Sequence, residues 1–160
     1  MPRDRYPLHV VVHIPPPRLH RLVRVVPIGE MQEQHGVAVL ALALEVYQAG
    51  FVTTFQIQAV GAGPDLGDAD DAERSPRLAL MATDDRGGHH TGQPYEGNGF
   101  GQGRDWQWRG AYRFSPTLDP AARKLRLVLA ALTWARPDQV RRRVVPTPTV
   151  IGPWAFTVTL

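Results

Sequence analysis

Few side chains in this sequence carry obvious chemistry, and their spacing limits what that chemistry could be. Of the six histidines, His9 and His13 share one face of an alternating segment but lie four residues apart. That is about 13 Å at the usual strand rise, too far for both to hold one metal ion. His89 and His90 are adjacent and would point to opposite faces of a strand, although a loop could turn them, with Asp84 or Asp85, onto a transition metal. Asp65, Asp68, Asp70 and Asp71 supply closely spaced oxygen ligands of the kind that calcium prefers. The run does not follow the EF-hand pattern, because Gly67 comes too early and Glu73 stands at the wrong distance, so a solvated acidic loop competes with a calcium site.

Nucleophilic catalysis lacks its parts. The only serines, Ser75 and Ser115, each stand beside a proline without the glycines of a nucleophile elbow. There is no cysteine, which removes thiol nucleophiles, thiolate metal sites and disulfides together. Gly97, Gly99, Gly101 and Gly103 precede no helical pattern and lack the lysine of a phosphate-binding loop. The expectation is a protein that is not an enzyme and needs no cofactor, calcium in the acidic loop being the foremost exception the spacing admits.

Binding is better provided for. Tyr95, Asn98 and Phe100 fall in the glycine-rich segment 87–103, and an aromatic in a loop has less core to fill, so these three are the candidate ligand-binding residues. Trp106, Trp108, Tyr112 and Phe114 recur with period two and read first as the buried face of a strand.

Charge adds little. The cations are 17 arginines and one lysine against 15 carboxylates, a net +3 with a pI near 9.8. The arginine bias fits a GC-rich genome or a heat-adapted host. The arginines are scattered, and the nearest to a patch is Arg136 with Arg141, Arg142 and Arg143, read as a solvated turn, so no nucleic-acid partner is expected. Leu8–Ile14 is too short and too polar for the apolar region of a signal peptide. No stretch approaches the roughly 20 apolar residues of a membrane helix, so no membrane insertion is expected, and the compartment is left open.

The elements that must position these residues are mostly strands. Alternation is clearest in Trp106–Phe114 and in Trp154–Leu160, where Trp154, Phe156, Val158 and Leu160 share a face. Leu8–Ile14, Leu78–Leu80 and Leu125–Leu129 follow the same pattern, and residues 20–26 follow it less cleanly. Val37–Tyr47 is rich in helix-forming Ala, Leu and Glu, yet Leu40, Leu42, Leu44 and Val46 recur at every second position ahead of the β-branched run Phe51–Val60. A strand is predicted there, with a helix as the alternative. One short helical turn is expected after Asp119-Pro120. Segments 61–76 and 87–103 read as long loops, and many strands with almost no helix predict a sandwich or barrel.

A family resemblance is carried by Gln34-His35-Gly36-Val37, by Tyr47-Gln48-Ala49-Gly50-Phe51, by Asp84-Asp85-Arg86-Gly87 with Tyr95 and the glycine-rich segment, and by Phe114-Ser115-Pro116. Over these residues the sequence resembles immunoglobulin-like domains attached to bacterial anti-sigma-factor and envelope proteins. The resemblance implies a sandwich with no catalytic residues, in a family usually exported and tethered.

The sequence thus predicts a single domain over residues 1–160, an all-β immunoglobulin-like β-sandwich of about eight or nine antiparallel strands. It would act as a protein-interaction or structural module. Trp154, Phe156, Val158 and Leu160 would pair with an edge of a second copy, giving a homo-oligomer or filament. The alternative is a calcium-supported module that binds carbohydrate or peptide through segments 61–76 and 87–103.

Overall fold

The computed structural model describes residues 21–61, 63–66, 75–138 and 143–160. His9, His13, Asp68, Asp70, Asp71, Arg141 and Arg142 lie outside the described residues, as does the predicted strand Leu8–Ile14. The period-two segments become strands β1 (Leu22–Gln34), β2 (Val37–Tyr47), β3 (Gly50–Ala59), β4 (Arg77–Asp84), β5 (His89–Gln102), β6 (Asp105–Ser115), β7 (Lys124–Asp138) and β8 (Arg143–Thr159). Every neighbouring pair is antiparallel, and all eight belong to one sheet of order β1-β2-β3-β6-β5-β4-β7-β8.

The two separate sheets of the expected sandwich are replaced by one sheet that curls until its edge strands β1 and β8 approach each other. Side chains close much of the seam. The Gln32 carboxamide serves both backbone groups of Ala155, its Nε2 donating to the Ala155 carbonyl and its Oε1 accepting the Ala155 N–H at 2.9 Å. The Gln34 Nε2 donates to the Pro153 carbonyl. A side-chain amide carries the same donor and acceptor as a peptide group, so Gln32 stands in for a missing rung of the ladder. A sandwich and a barrel impose the same alternation on a strand, so only the meeting of the edges distinguishes them.

The inward faces fill the barrel with large apolar side chains. Phe51 stacks on Phe114 with ring centroids 4.7 Å apart, and Trp106 meets Trp134 edge-on at 4.9 Å. Trp106, Trp108, Tyr112, Phe114, Leu125, Leu127 and Leu129 are all buried, as their alternation predicts.

Val37–Tyr47 is a strand, since β1 and β3 hold it on both edges and tertiary pairing overrides helix propensity. Its inward set differs from the prediction. A bulge between Ala41 and Ala43 shifts the alternation, so Val37, Val39, Ala41, Leu44 and Val46 enter the core while Leu40 and Leu42 are half-buried. At Asp119 the chain makes a turn rather than a helix, with the Asp119 side chain accepting the Ala121 N–H at 2.7 Å.

The largest departure is segment 87–103, predicted as a loop and found as the tight turn 85–88 followed by β5. Backbone pairing with β6 runs from Thr91–Ser115 to Gln102–Asp105, which requires no particular side chains. Two of its glycines have a packing purpose: a Cβ at Gly92 would lie 2.9 Å from the Phe114 ring, and one at Gly97 would lie 2.5 Å from the Trp108 indole.

Candidate functional site

Alternation along β5 turns Asn98 and Phe100 outward together with Glu96, and the antiparallel register sets them beside the outward residues of β6 and β3. One row across the three strands is Gln58, Gln107 and Phe100; the next is Gln56, Arg109 and Asn98; a third is Thr54, Ala111 and Glu96. The result is a patch of planar amides, a guanidinium, a carboxylate and a hydroxyl, with an aromatic ring at one end. Phe100 is 53% exposed, and Arg109, Asn98 and Glu96 are exposed beside it. A depression of about 590 Å³ is lined by Thr54, Glu96, Asn98, Phe100 and Arg109.

Tyr95 is the extra residue of a bulge between Pro94 and Glu96 and is 45% exposed. Near it, Tyr47 packs over Val52 and Ala111 and donates its hydroxyl proton to the Glu45 carboxylate at 2.6 Å. That hydrogen bond, with burial second, pushes the Tyr47 phenol up to about 12. Tyr95, Asn98 and Phe100 therefore lie on one strand, with Asn98 and Phe100 on one face. Sequence reading missed Arg109, Thr54 and Glu96 as their companions, because cross-strand register is invisible in a single sequence.

The two predicted binding segments do meet. The Trp106 indole donates to the Pro64 carbonyl at 2.8 Å, the Leu66 N–H to the Gly103 carbonyl at 2.7 Å, and Asp65 stands 3.9 Å from Arg104 with both side chains exposed. Of the proposed calcium ligands only Asp65 is described, and among the described residues no group of three His, Asp or Glu side chains could hold a metal ion.

His89 and His90 do not converge. His89 is exposed, whereas His90 is buried with its Nε2 3.0 Å from the Asp84 Oδ2 and its Nδ1 2.8 Å from the Pro116 carbonyl. The other Asp84 oxygen accepts the N–H groups of Arg86 and Gly88 at 2.9 and 2.8 Å. Burial alone would raise the Asp84 pKa, but the Gly88 N–H, the His90 ring and the Arg86 N–H together hold it below the ordinary carboxylate value. Both ring nitrogens are engaged by oxygens, and the cluster fastens the β4–β5 turn to the segment after β6.

Trp154, Phe156 and Val158 are buried in this chain's own core, where β8 pairs with β7, and Leu160 is partly buried against the same cluster. Among the described residues no helix is long and apolar enough to cross a membrane.

Fold and surface together define an all-β protein with eight antiparallel strands in a nearly closed, barrel-like sheet. No family model matches the chain, and no curated protein matches it. Among solved structures it is similar to one described as the crystal structure of the conserved domain protein from Bacillus anthracis, with a TM-score of 0.58 and 15% identity. The match covers 86% of this chain and 48% of that one, so the chain spans about half the length of its structural neighbour. At that identity the likeness is one of fold, and it lends no support to the immunoglobulin-like or anti-sigma association.

Proposed function

We propose that the protein is a non-enzymatic binding module whose ligand face is the outer surface of β3, β6 and β5, and that its ligand is a carbohydrate. The observation that carries this reading is the alignment of Phe100, Asn98, Arg109 and Glu96 around one exposed depression. Planar amides and guanidinium groups donate to sugar hydroxyls, a carboxylate accepts from them, and an exposed ring offers a platform for the apolar face of a pyranose. Titrating an oligosaccharide panel against 15N-labelled protein tests it. Saturable shifts at Asn98, Phe100 and Arg109, lost in Phe100→Ala with the fold intact, are expected. No shift at these residues up to millimolar sugar would refute the reading.

Self-assembly is a second reading, supported by exposed Val23, Val25 and Met31 on β1 and Ile151 on β8, the two edge strands of the sheet. It ranks second because Trp154, Phe156 and Val158, the side chains predicted to join copies, are already packed within one chain. Light scattering across a concentration series separates the readings: a mass constant at 17.8 kDa excludes assembly.

A further inference from the structure

Strands β4 and β5 pair only where Met81–Thr83 faces His89–Thr91. Beyond that stretch β4 stays with β7 and β5 stays with β6, so the barrel wall parts between Arg77–Leu80 and Pro94–Gly97. A cavity of about 300 Å³ occupies the gap, with Trp108 and Tyr112 as its base and Tyr95, Pro94, Arg77 and Glu96 around it. That is the lower end of the range for small-molecule sites.

The base is aromatic and short of acceptors. Trp108 is 3% exposed, and its indole Nε1–H, itself closed off from solvent, has no hydrogen-bond partner among the described residues. Tyr112, also 3% exposed, accepts the Leu78 N–H at 3.0 Å, which leaves its own O–H proton without an acceptor among the described residues. The indole covers Gly97 and its register partner Gly110, where a Cβ would come within 2.5 and 2.2 Å of the ring, and so extends along β6 toward Tyr112. Burial raises the Tyr112 phenol pKa above its ordinary value against the Leu78 N–H and the charge of Arg77, an exposed cation close enough to Tyr112 to be felt there. Glu96 is the one carboxylate among the described residues that line the cavity, and its place in the register turns it toward the outer face. Buried donors left unpaired are rare and costly, and a phenol with an O–H proton to give, set beside a cation at an aromatic cavity, calls for a ligand that brings an acceptor.

We propose that this cavity binds a small aromatic carboxylate, its ring against Trp108, Tyr95 and Pro94 and its carboxylate accepting from Tyr112 O–H while paired with Arg77. The site borders the outer face at Glu96 and Gly97, which line both depressions, and its ligand does not depend on carbohydrate binding there.

The test is a titration of benzoate and indole-3-carboxylate, with benzyl alcohol as the neutral control, against 15N-labelled protein, whose four indole N–H resonances are read individually. The Trp108 resonance should move saturably with a carboxylate and stay in place with the alcohol. Arg77→Gln, a change at an exposed position, should weaken binding about tenfold with the thermal midpoint unchanged. Tyr112→Phe should weaken it too, and Arg77→Gln keeps the test readable if that variant is unstable. A Trp108 signal indifferent to both carboxylates at millimolar concentration, or one that benzyl alcohol moves equally, overturns the proposal. Asn98 and Arg109 report the outer face in the same spectra, so the two sites can fail separately.

Discussion

Asp84 and His90 face each other across the β4–β5 turn, with the carboxylate Oδ2 3.0 Å from the ring Nε2 and both residues buried. The carboxylate also gathers the N–H groups of Arg86 and Gly88, so one side chain organises the turn and anchors the ring that reaches Pro116.

Acid should therefore weaken the fold through Asp84. Its pKa falls on folding, so its contribution is complete above the unfolded value of about 3.9 and is lost as pH drops through the lower folded value. Asp84→Ala leaves two turn N–H groups and the imidazole without this acceptor and should cost about 3 kcal/mol at neutral pH. Asp84→Asn keeps an acceptor for the turn and should cost about 1 kcal/mol. It should also flatten the loss of stability below about pH 4. Some acid dependence will persist from Asp85, whose pKa is lowered chiefly by the Arg123 N–H. Urea unfolding of the three proteins from neutral pH down to strong acid measures each difference, and an unchanged acid limb in Asp84→Asn would contradict the assignment.

The β1–β8 seam makes a separate prediction. Gln32→Ala removes both bonds to Ala155 and should cost about 1–2 kcal/mol, with hydrogen exchange at the Ala155 amide accelerating more than at its neighbours. Gln32→Glu can still accept the Ala155 N–H but cannot donate to its carbonyl, so it should protect the amide while losing part of the stability. Equal exchange in all three proteins would mean that the glutamine does not close the seam.

Legibility in the sequence followed the physics of each element. Trp106–Phe114 and Leu125–Leu129 were readable because alternation and burial coincide there, and β2 was readable as a strand despite its helix formers. Its buried set was not, because a bulge shifts the alternation and leaves no mark in residue types. β5 reads as a loop in the sequence because glycine counts against a strand, and the reason for glycine at 97 lies on another strand, in Trp108. The candidate site was half legible: Tyr95, Asn98 and Phe100 could be picked as aromatic and amide groups amid glycines, but Arg109 and Thr54 join them only through register. Residue types alone admit Asp84 and His90 to a metal set, whereas the geometry turns the pair to anchoring a turn.

The glycine pair beneath Trp108 gives a sharper test of packing. The three atoms nearest a Cβ at Gly97 all belong to the Trp108 ring, at 2.5 and 2.8 Å, whereas one at Gly110 would meet the ring at 2.2 Å and also the Glu96 carbonyl at 2.5 Å. Gly97→Ala should therefore destabilise the protein by about 1–3 kcal/mol through overpacking. In a Trp108→Leu background, where the indole is gone, the same change should be nearly neutral, giving a coupling energy close to the single-mutant cost. Gly110→Ala should stay costly in both backgrounds, because shortening Trp108 does not move the Glu96 backbone. A double-mutant cycle by urea unfolding reads all four combinations for each glycine. If Gly97→Ala costs the same with and without the indole, then β5 needs glycine there for its backbone and the indole is not what excludes a side chain.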